Sequence, residues 1–557
     1  MKTNFTLVFI LLSMLCRAQY SRHIIELTNK QGSRYSINNP STFLSPESIL
    51  RKKKYGIQLD STDLPVSNAY LDSIKNAGAV EIINTSKWLN QVLIKTTDQQ
   101  ALAKISSFPF VKKQYGIARK VAPTTNNGIL GEINNSTSSL NSYGLNATSL
   151  LSYGSTAPQI LLHEGEFLHN KGIQGAGIKI AIFDAGFAKY QNITAFDSLR
   201  ANNRILGTWD FVEKNSSVNE DDIHGMWCFS ILAANIPGSF VGSAPQASYY
   251  LFRTEDVGSE FPIEEQHWAA AAERADSLGV DIITSSLGYS EFDDPTFNYT
   301  YADMNGNKTI VSRAAAMAVN KGMIVTNSAG NEGGKKWKYI IAPADVTDVL
   351  SVGAININKQ VAPFSSYGPA STGKVKPDIT SVGWNTFLIN LNGTVGQGNG
   401  TSFSNPNIAG LIACLWQSFP EFNNREIINA VRQSANNYAT PDNRIGYGIP
   451  NIRIAYSILE KEKKIKQAKG ILKTDLIKVY PNPFTNQFTA LYKGNSNGNI
   501  SFKLFGLDGK VVRLMIFPTV ENEFHFFTMD QLDSLSSGQY ILQYNDGINT
   551  GNIRLSK

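Results

Sequence analysis

Three residues of this sequence carry the side chains needed for nucleophilic catalysis: Asp184, His224 and Ser402. An imidazole can take the proton of a serine hydroxyl, and a carboxylate can hold that imidazole in the required tautomer. Each residue alone has a commoner structural role, because Asp-x-Gly makes turns, His-Gly begins helices and Gly-Thr-Ser caps them. Their occurrence together, in the order Asp, His, Ser, indicates acyl transfer.

The elements around these residues predict a sheet that would bring them together. Short apolar runs typical of buried strands alternate with longer segments of helical period. The predicted strands are 179–184, 247–253, 281–285, 323–326 and 349–354, and the predicted helices are 224–234, 263–278, 312–320 and 406–416. This alternation predicts an α/β fold with a mostly parallel sheet and helices on both faces. Functional side chains of such sheets gather beyond the carboxyl ends of the strands, where Asp184 lies.

Two further segments that follow predicted strands also carry groups that could take part in the chemistry. Asn331 follows strand 323–326 and offers an amide donor, and residues 286–288 follow strand 281–285 and offer a free backbone edge. With these motifs the sequence resembles the subtilisin-like serine peptidases (subtilases, S8-type) over about residues 157–459. The Asp, His, Ser order separates this family from the chymotrypsin-like and α/β-hydrolase arrangements. Supporting matches are Gly242-Ser243-Ala244-Pro245, Phe364-Ser365-Ser366-Tyr367-Gly368-Pro369, Lys376-Pro377-Asp378 and Gly446-Tyr447-Gly448.

The resemblance implies a role for each matched residue. Ser402 would attack the peptide carbonyl, His224 would carry its proton, and Asp184 would orient the imidazole. Asn331 and the Ser402 backbone N–H would donate to the developing oxyanion. The residues implied in substrate binding are Ser286, Leu287, Gly288, Ala329 and Gly330. The floor of the primary pocket cannot be aligned from the sequence, so the preferred substrate side chain stays open.

The motifs also depart from the family pattern at positions that do not react. Met226 stands where Thr is commoner after His-Gly, and the residues after Ser402 are less usual. These differences concern the shape of the substrate subsites. Cys228, one turn after His224, resembles the thiol-containing branch of the family, which predicts sensitivity to mercurials. An inert small core residue is the explanation that we favour for Cys228.

Composition excludes several other classes of function. The chain has 557 residues, enough for three or four domains, and a formal net charge of +6 without a long basic run. Nucleic acid is therefore not predicted as a partner. The implied chemistry requires no cofactor, and the remaining histidines lack the spacing of zinc ligands. A structural calcium stays open at Asp303, Asn305 and Asn307, for which we favour an ordinary Asx turn.

The N-terminal third predicts an exported precursor. Residues 1–18 have the charged start, apolar run and small-residue end of a cleaved signal peptide. A lipoprotein signal at Cys16 fits less well, because bulky residues precede that cysteine. Residues 19–119, with an α+β core at 67–112, resemble the ferredoxin-like propeptide of subtilases. An attached accessory domain is the alternative, and residues 120–156 have the composition of a linker.

The C-terminal part predicts a second fold. A charged linker at 460–471 precedes residues 472–557, which show short strands and turns typical of a small all-β sandwich. The segments Val479-Tyr480-Pro481-Asn482-Pro483-Phe484 and Ser537-Gly538-Gln539-Tyr540 resemble the C-terminal sorting domain of Bacteroidetes-type (type IX) secretion. A generic surface-binding module is the alternative.

Taken together, these features predict a secreted or surface-attached serine endopeptidase that is made as a zymogen. Its expected partners are polypeptide substrates, its own propeptide as inhibitor and the outer-membrane secretion machinery, and it is expected to be a monomer. One alternative is a catalytically silent subtilase-like adhesin, which would have no need of four filled catalytic positions. Another is an esterase with the same triad, but the backbone-pairing segment 286–288 favours an extended peptide.

Overall fold

A computed structural model of the chain describes residues 20–119, 132–134, 150–219 and 222–557. The predicted signal peptide and most of the predicted linker 120–156 lie outside these residues. The chain divides into two compact units, Met1–Tyr456 and Ser457–Lys557. Within the described ranges, every helix is too short or too polar to span a bilayer.

A parallel sheet of seven strands forms the centre of the larger unit, which confirms the predicted fold class. Across the sheet, the strands are Ile379–Val382, Leu350–Ile355, Ile324–Ser328, Ile282–Ser285, Lys179–Asp184, Ser248–Arg253 and Ile205–Asp210. The five central strands were all predicted. Most of their residues are apolar and buried because helices and loops cover both faces of a parallel sheet. The two edge strands were missed.

Helices surround this sheet, and three of the four predicted ones lie close to their predicted bounds. Those after the N-terminal domain are Ala157–Leu161, Glu166–His169, Asp197–Ala201, His224–Ala233, Ile263–Ser277, Ile310–Asn320, Thr401–Ser418 and Asn424–Gln433. Helix Thr401–Ser418 begins before its predicted start at Pro406. Ser402 is therefore a residue of the first helical turn. Pro406 lies inside this helix and has no N–H for the Ser402 carbonyl four residues earlier, which accepts from the Ser286 hydroxyl instead.

The N-terminal domain contains a four-stranded antiparallel sheet with two helices. Across the sheet, the strands are Glu81–Ser86, Gln91–Lys95, Tyr20–Leu27 and Val111–Arg119, and the helices are Asn68–Lys75 and Gln99–Ser106. Strand Tyr20–Leu27, which was not predicted, pairs with two neighbours in the interior of the sheet. The last strand begins at Val111, whose amide closes a turn on the Phe108 carbonyl at 2.9 Å. An α+β domain precedes the peptidase-like sheet, as expected.

An arm formed by residues 40–66 extends from this domain and was also not predicted. It contains the helix Pro46–Lys54, which places Arg51 and Lys52 against the end of helix Ile263–Ser277. Both cations bind the Asp276 carboxylate, at 2.5 and 2.8 Å, and all three side chains are buried. Farther along the arm, Asp63 binds the buried Lys321 at 2.8 Å. The arm is thus joined to the sheet-bearing domain through buried ion pairs.

Asp276→Asn is expected to lower the free energy of unfolding of the full-length precursor by about 3 kcal/mol, because breaking a buried ion pair leaves its partners uncompensated. Burial alone would raise the pKa of Asp276, but Lys87, Lys52 and Arg51 hold it below its usual range. This stabilisation is therefore present above the unfolded-state pKa and lost as the pH falls through the lowered one. Urea denaturation followed by tryptophan fluorescence measures the difference.

The matched control is Asp348→Asn. Asp348 binds Arg425 at 3.0 Å, and both side chains are about half exposed. An exposed pair contributes about 0–1 kcal/mol, so this variant should unfold almost as the wild type does. If both variants lost the same free energy of unfolding, the ion pairs of Asp276 with Arg51 and Lys52 would not be what holds the arm in place.

The smaller unit contains two antiparallel sheets. One has the order Ile477–Tyr480, Phe488–Lys493 and Phe524–Met529, and the other Val511–Thr519, Gly498–Phe505, Gln539–Asn545 and Thr550–Ser556. Their facing side chains share one core that includes Phe488 and Phe502, as expected for an all-β sandwich. Residues 460–471, predicted as a linker, are helical within Ile452–Leu472. The charged composition concealed buried residues at helical spacing, such as Ala468 and Leu472.

Candidate active site

Asp184 and His224 form a buried pair at the carboxyl edge of the parallel sheet. Asp184 is the last residue of its strand and His224 the first residue of its helix. His224 Nδ1 lies 2.7 Å from Asp184 Oδ1, and the side chains are 1% and 0% exposed. Because the carboxylate accepts the Nδ1 proton, the neutral ring keeps its lone pair on Nε2. Nε2 is buried and has no hydrogen-bond partner among the described residues.

The Asp184 carboxylate also changes the proton affinity of the ring. Burial acts to lower the pKa of His224, but the negative charge and hydrogen bond of Asp184, with a smaller contribution from Asp222, raise it above its ordinary value. The Asp222 carboxylate also accepts the His224 backbone N–H at 2.8 Å. An imidazole in this setting can accept a proton on Nε2 and is stabilised when it does so.

Ser402 lies beside the predicted substrate segment. Its hydroxyl donates to the Ser286 carbonyl at 3.4 Å, and its side chain is nearly inaccessible. In return, the Ser286 hydroxyl donates to the Ser402 carbonyl at 2.9 Å. That carbonyl is available because Pro406, four residues later in the helix, has no N–H to donate to it. Because of the proline, the Ser402 carbonyl can bond to Ser286, which joins the start of helix Thr401–Ser418 to the segment 286–288.

Thr401, the residue before Ser402, orients the side chain of Asn331. Its Oδ1 accepts the Thr401 backbone N–H at 2.9 Å and the Thr401 hydroxyl at 3.0 Å. Since a backbone N–H can only donate, the oxygen of the amide must face Thr401, and the NH2 group points away from it. Gly330 N–H in turn donates to Thr401 Oγ1 at 3.2 Å. The Asn331 amide is thereby available as a donor at the edge of the serine loop.

Residues 286–288 and 329–330 form two neighbouring segments beyond the strands Ile282–Ser285 and Ile324–Ser328. The Leu287 carbonyl accepts the Asn327 side-chain amide at 2.9 Å. Within the described part of the chain, the backbone N–H groups of residues 286–288 have no acceptor. A free row of amides of this kind can pair with an extended polypeptide.

The Cys228 thiol lies next to the Asp184–His224 pair. The ligand atoms of the three residues are all within 4.8 Å of one another. Its thiol donates to the Ser402 carbonyl at 3.3 Å, and burial raises its pKa well above the ordinary value. The thiol is therefore protonated at neutral pH, in keeping with the preferred interpretation as a small core residue.

The other histidines and the possible calcium turn lie in other parts of the fold. His163 bonds to the Pro450 carbonyl and to Ser381, both at 2.9 Å, and His169 contacts Tyr153 at 2.7 Å. At the possible calcium turn, the Asp303 carboxylate accepts from Thr300 and the Asn305 side chain accepts from two following amides. These are capping and Asx-turn contacts, the interpretation that we favoured from the sequence.

Two residues that position the candidate site were not identified from the sequence. Thr401 orients Asn331, as described above. Asn405 donates to Thr284 Oγ1 and to the Ser285 carbonyl, both at 3.0 Å, and so fixes the serine helix to the strand that leads into residues 286–288. Both lie within four residues of Ser402, which is the only signal in the sequence that could have indicated them.

Comparison with known proteins finds three family matches along the chain. Residues 175–448 match the family described as the subtilase family, Peptidase S8. Residues 22–131 match the Peptidase S8 propeptide domain of Bacteroidota, and residues 478–555 match the secretion system C-terminal sorting domain. The predicted propeptide and sorting domain are thus both found.

Similar curated proteins are peptidases. A thermostable alkaline protease of Halalkalibacterium halodurans is 28% identical over 280 residues, which cover 49% of this chain and 66% of that protein. Subtilisin BL of Lederbergia lenta is 27% identical over 288 residues, covering 52% of this chain and 93% of that protein. Among solved structures, MycP1 from Mycobacterium smegmatis has a TM-score of 0.44 and 21% identity, covering 59% of this chain and 88% of that one.

Proposed function

The chain carries a peptidase domain of the subtilase family, and from this premise we propose that it is a secreted serine endopeptidase made as an inactive precursor. The observation that carries the proposal is the buried Asp184–His224 hydrogen bond, which leaves Nε2 without a partner next to the Ser402 loop. A binding protein would have no use for an unpartnered buried imidazole nitrogen, which costs about 1–3 kcal/mol in stability.

In the proposed reaction, Ser402 Oγ attacks the peptide carbonyl while His224 Nε2 takes its proton. The hydroxyl must first leave the Ser286 carbonyl that it contacts in this structure. The imidazolium then gives the proton to the leaving amine, and an ester between Ser402 and the acyl fragment remains. Water attacks this ester with the same base, which restores the serine. Asp184 holds the ring through Nδ1 in each step.

Two donors are proposed to stabilise the oxyanion that forms in each step. One is the Asn331 NH2 group, which Thr401 turns away from itself. The other is the Ser402 backbone N–H, one of the first amides of its helix, which have no intrahelical acceptor. Donors fixed before the reaction stabilise the transition state without reorganisation at that moment.

Asn331→Ala is expected to lower kcat about 10²–10³-fold with little change in KM, since the donor acts mainly on the transition state. Steady-state kinetics on a peptide substrate measure both constants. Thr401→Ser is the control, because it keeps the hydroxyl and backbone N–H that hold Asn331 and should cost little. A rise in KM with unchanged kcat in Asn331→Ala would instead assign Asn331 to substrate binding.

The proposed zymogen contains the N-terminal domain as its inhibitor. The buried Glu273 of the peptidase domain accepts the Lys87 and Trp88 amides of that domain at 2.7 and 3.0 Å. Arg119, the last described residue before the linker, binds Asp294 at 2.7 Å. Glu132–Asn134 pairs with the strand Val395–Asn399, which leads directly into the Ser402 loop. These contacts support cleavage of the linker, between residues 119 and 155, by the neighbouring site.

The proposal is tested by incubating the purified secreted protein with casein and with a fluorophosphonate probe, followed by mass spectrometry. Label on Ser402, degraded casein and a new N-terminus between residues 119 and 155 would support a zymogen protease. A folded, processed chain that takes no label and cleaves nothing would reject it in favour of a displayed binding protein.

Export is proposed to use both ends of the chain. The N-terminal residues would direct the first step as a cleaved signal peptide. The C-terminal sorting domain, matched at residues 478–555, would direct passage across an outer membrane by type IX secretion. The mature enzyme would then be free or attached at the cell surface.

A further inference from the structure

The side chain of Ile341 lies between the two segments proposed to border the primary substrate pocket. A Cβ atom added to Gly288 would fall 2.4 Å from Ile341 Cδ1 and 2.5 Å from Cγ1. A Cβ atom added to Gly330, on the opposite segment, would fall 3.0 Å from each of the same two atoms. Ile341 thus covers the bare backbone of both glycines, and its side chain occupies the space that separates them.

Backbone pairing holds Ile341 in this position. Its own N–H donates to the Ala329 carbonyl at 3.4 Å, beside Gly330. The next residue, Ala342, exchanges two hydrogen bonds with Tyr289, beside Gly288, at 2.9 and 3.3 Å. The segment that carries Ile341 is therefore tied to both walls, and the side chain, which is 7% exposed, cannot withdraw without breaking these contacts.

The space between the walls adjoins the proposed nucleophile. Ser402 Oγ contacts the Ser286 carbonyl, two residues before Gly288, and Thr401 Oγ1 accepts the Gly330 N–H. A peptide paired along residues 286–288, with its carbonyl at Ser402, would direct the side chain before the scissile bond toward this space. That side chain would meet Ile341.

We propose that Ile341 forms a raised floor in the primary pocket, so that the enzyme selects polypeptides with alanine, glycine or serine immediately before the scissile bond. The inference rests on the proposed peptidase function and names the substrate class of that same site. Placing a longer side chain where Ile341 already lies would force overpacking, which is destabilising. Exclusion of this kind gives specificity without any added attraction for the small residue.

The test compares peptide substrates that differ only in the residue before the scissile bond, which is Ala, Leu or Phe. The wild type should have a kcat/KM for Ala at least about 10²-fold above that for Phe, the range that steric pocket contacts provide. Ile341→Gly should raise kcat/KM for Phe about 10²-fold and change that for Ala less than about fivefold. Ile341→Val, a milder change that keeps the core filled, should shift the preference in the same direction toward Leu.

The matched control is Ile340→Val, because Ile340 is fully buried with Ala329, Ala344 and Ala370 and is not among the residues nearest to Gly288 or Gly330. It should leave the ratio of Phe to Ala rates unchanged. All rates are expressed per active site, counted with the fluorophosphonate probe. Labelled enzyme that cleaves Phe as well as Ala, or a ratio that Ile341→Gly and Ile341→Val leave unchanged, would overturn the pocket inference alone. Absence of label and of cleavage of any substrate would overturn the proposed function and the inference together.

Discussion

Ser402→Ala should abolish peptide hydrolysis while the protein still folds. The expected loss in kcat is on the order of 10⁶-fold, the size known from subtilisin when its serine is removed. Folding should persist because the Ser402 hydroxyl makes one long hydrogen bond, of 3.4 Å, whose removal costs about 1 kcal/mol or less. Casein hydrolysis measures the activity, and circular dichroism and thermal melting measure the fold.

The same helix provides a matched control for this variant. Ser404 is buried like Ser402, and its hydroxyl donates to the Thr401 carbonyl at 2.8 Å. Ser404→Ala should therefore retain activity, fluorophosphonate labelling and self-processing. The Ser402→Ala precursor should remain uncut and take no label. If it cleaved casein at the wild-type rate, Ser402 would not be the nucleophile.

Asp184→Asn is expected to lower kcat about 10⁴-fold, because an amide no longer selects the tautomer that leaves the lone pair on Nε2. It should also move the acid limb of the pH–rate profile to lower pH. In the wild type, activity requires a neutral His224 and so rises as the pH increases through the raised pKa of that residue. Without the Asp184 charge, burial dominates and lowers the pKa of His224.

A log-scale plot of kcat/KM against pH checks this shift, with Asp222→Asn as the control. Asp222 also acts on the ring, but less strongly than Asp184, and its main contact is with the His224 backbone N–H. Asp222→Asn should move the acid limb slightly in the same direction and leave kcat within about tenfold. An acid limb that stays in place in Asp184→Asn would show that the titrating group is not His224.

The residues proposed to react could be singled out from the sequence because they carry local signals. Asp184, His224 and Ser402 each lie within two residues of a glycine, at the end of an apolar strand or the start of a helix, and they occur in the order Asp, His, Ser. The five central strands were predicted for a related reason: a run buried on both faces is mostly apolar. The residues that position the site, Thr401 and Asn405, were not predicted because their roles depend on partners at least 70 residues away.

Other misses have the same origin. Ile341 has no signal of its own, because its proposed role depends on Gly288 and Gly330, whose segments meet it only in the fold. The arm at residues 40–66 and the strand Tyr20–Leu27 are stabilised by partners elsewhere in the chain, including Asp276. Helix Ile452–Leu472 was hidden by its charged exposed face, which dominates the composition of that segment.

The buried ion pairs of the arm would separate cutting from activation in the proposed zymogen. Among the described residues, Arg51 and Lys52 bind Asp276 and Asp63 binds Lys321, all outside the linker, so a nicked chain would keep these pairs. The two fragments would then form a non-covalent complex whose lifetime, rather than the rate of cutting, sets when free enzyme appears. Activity should emerge after a lag that shortens on dilution or on digestion of the freed fragment. A cell would thus export a protease that is already cut but still inhibited. It would become active only where dilution lets the N-terminal fragment dissociate.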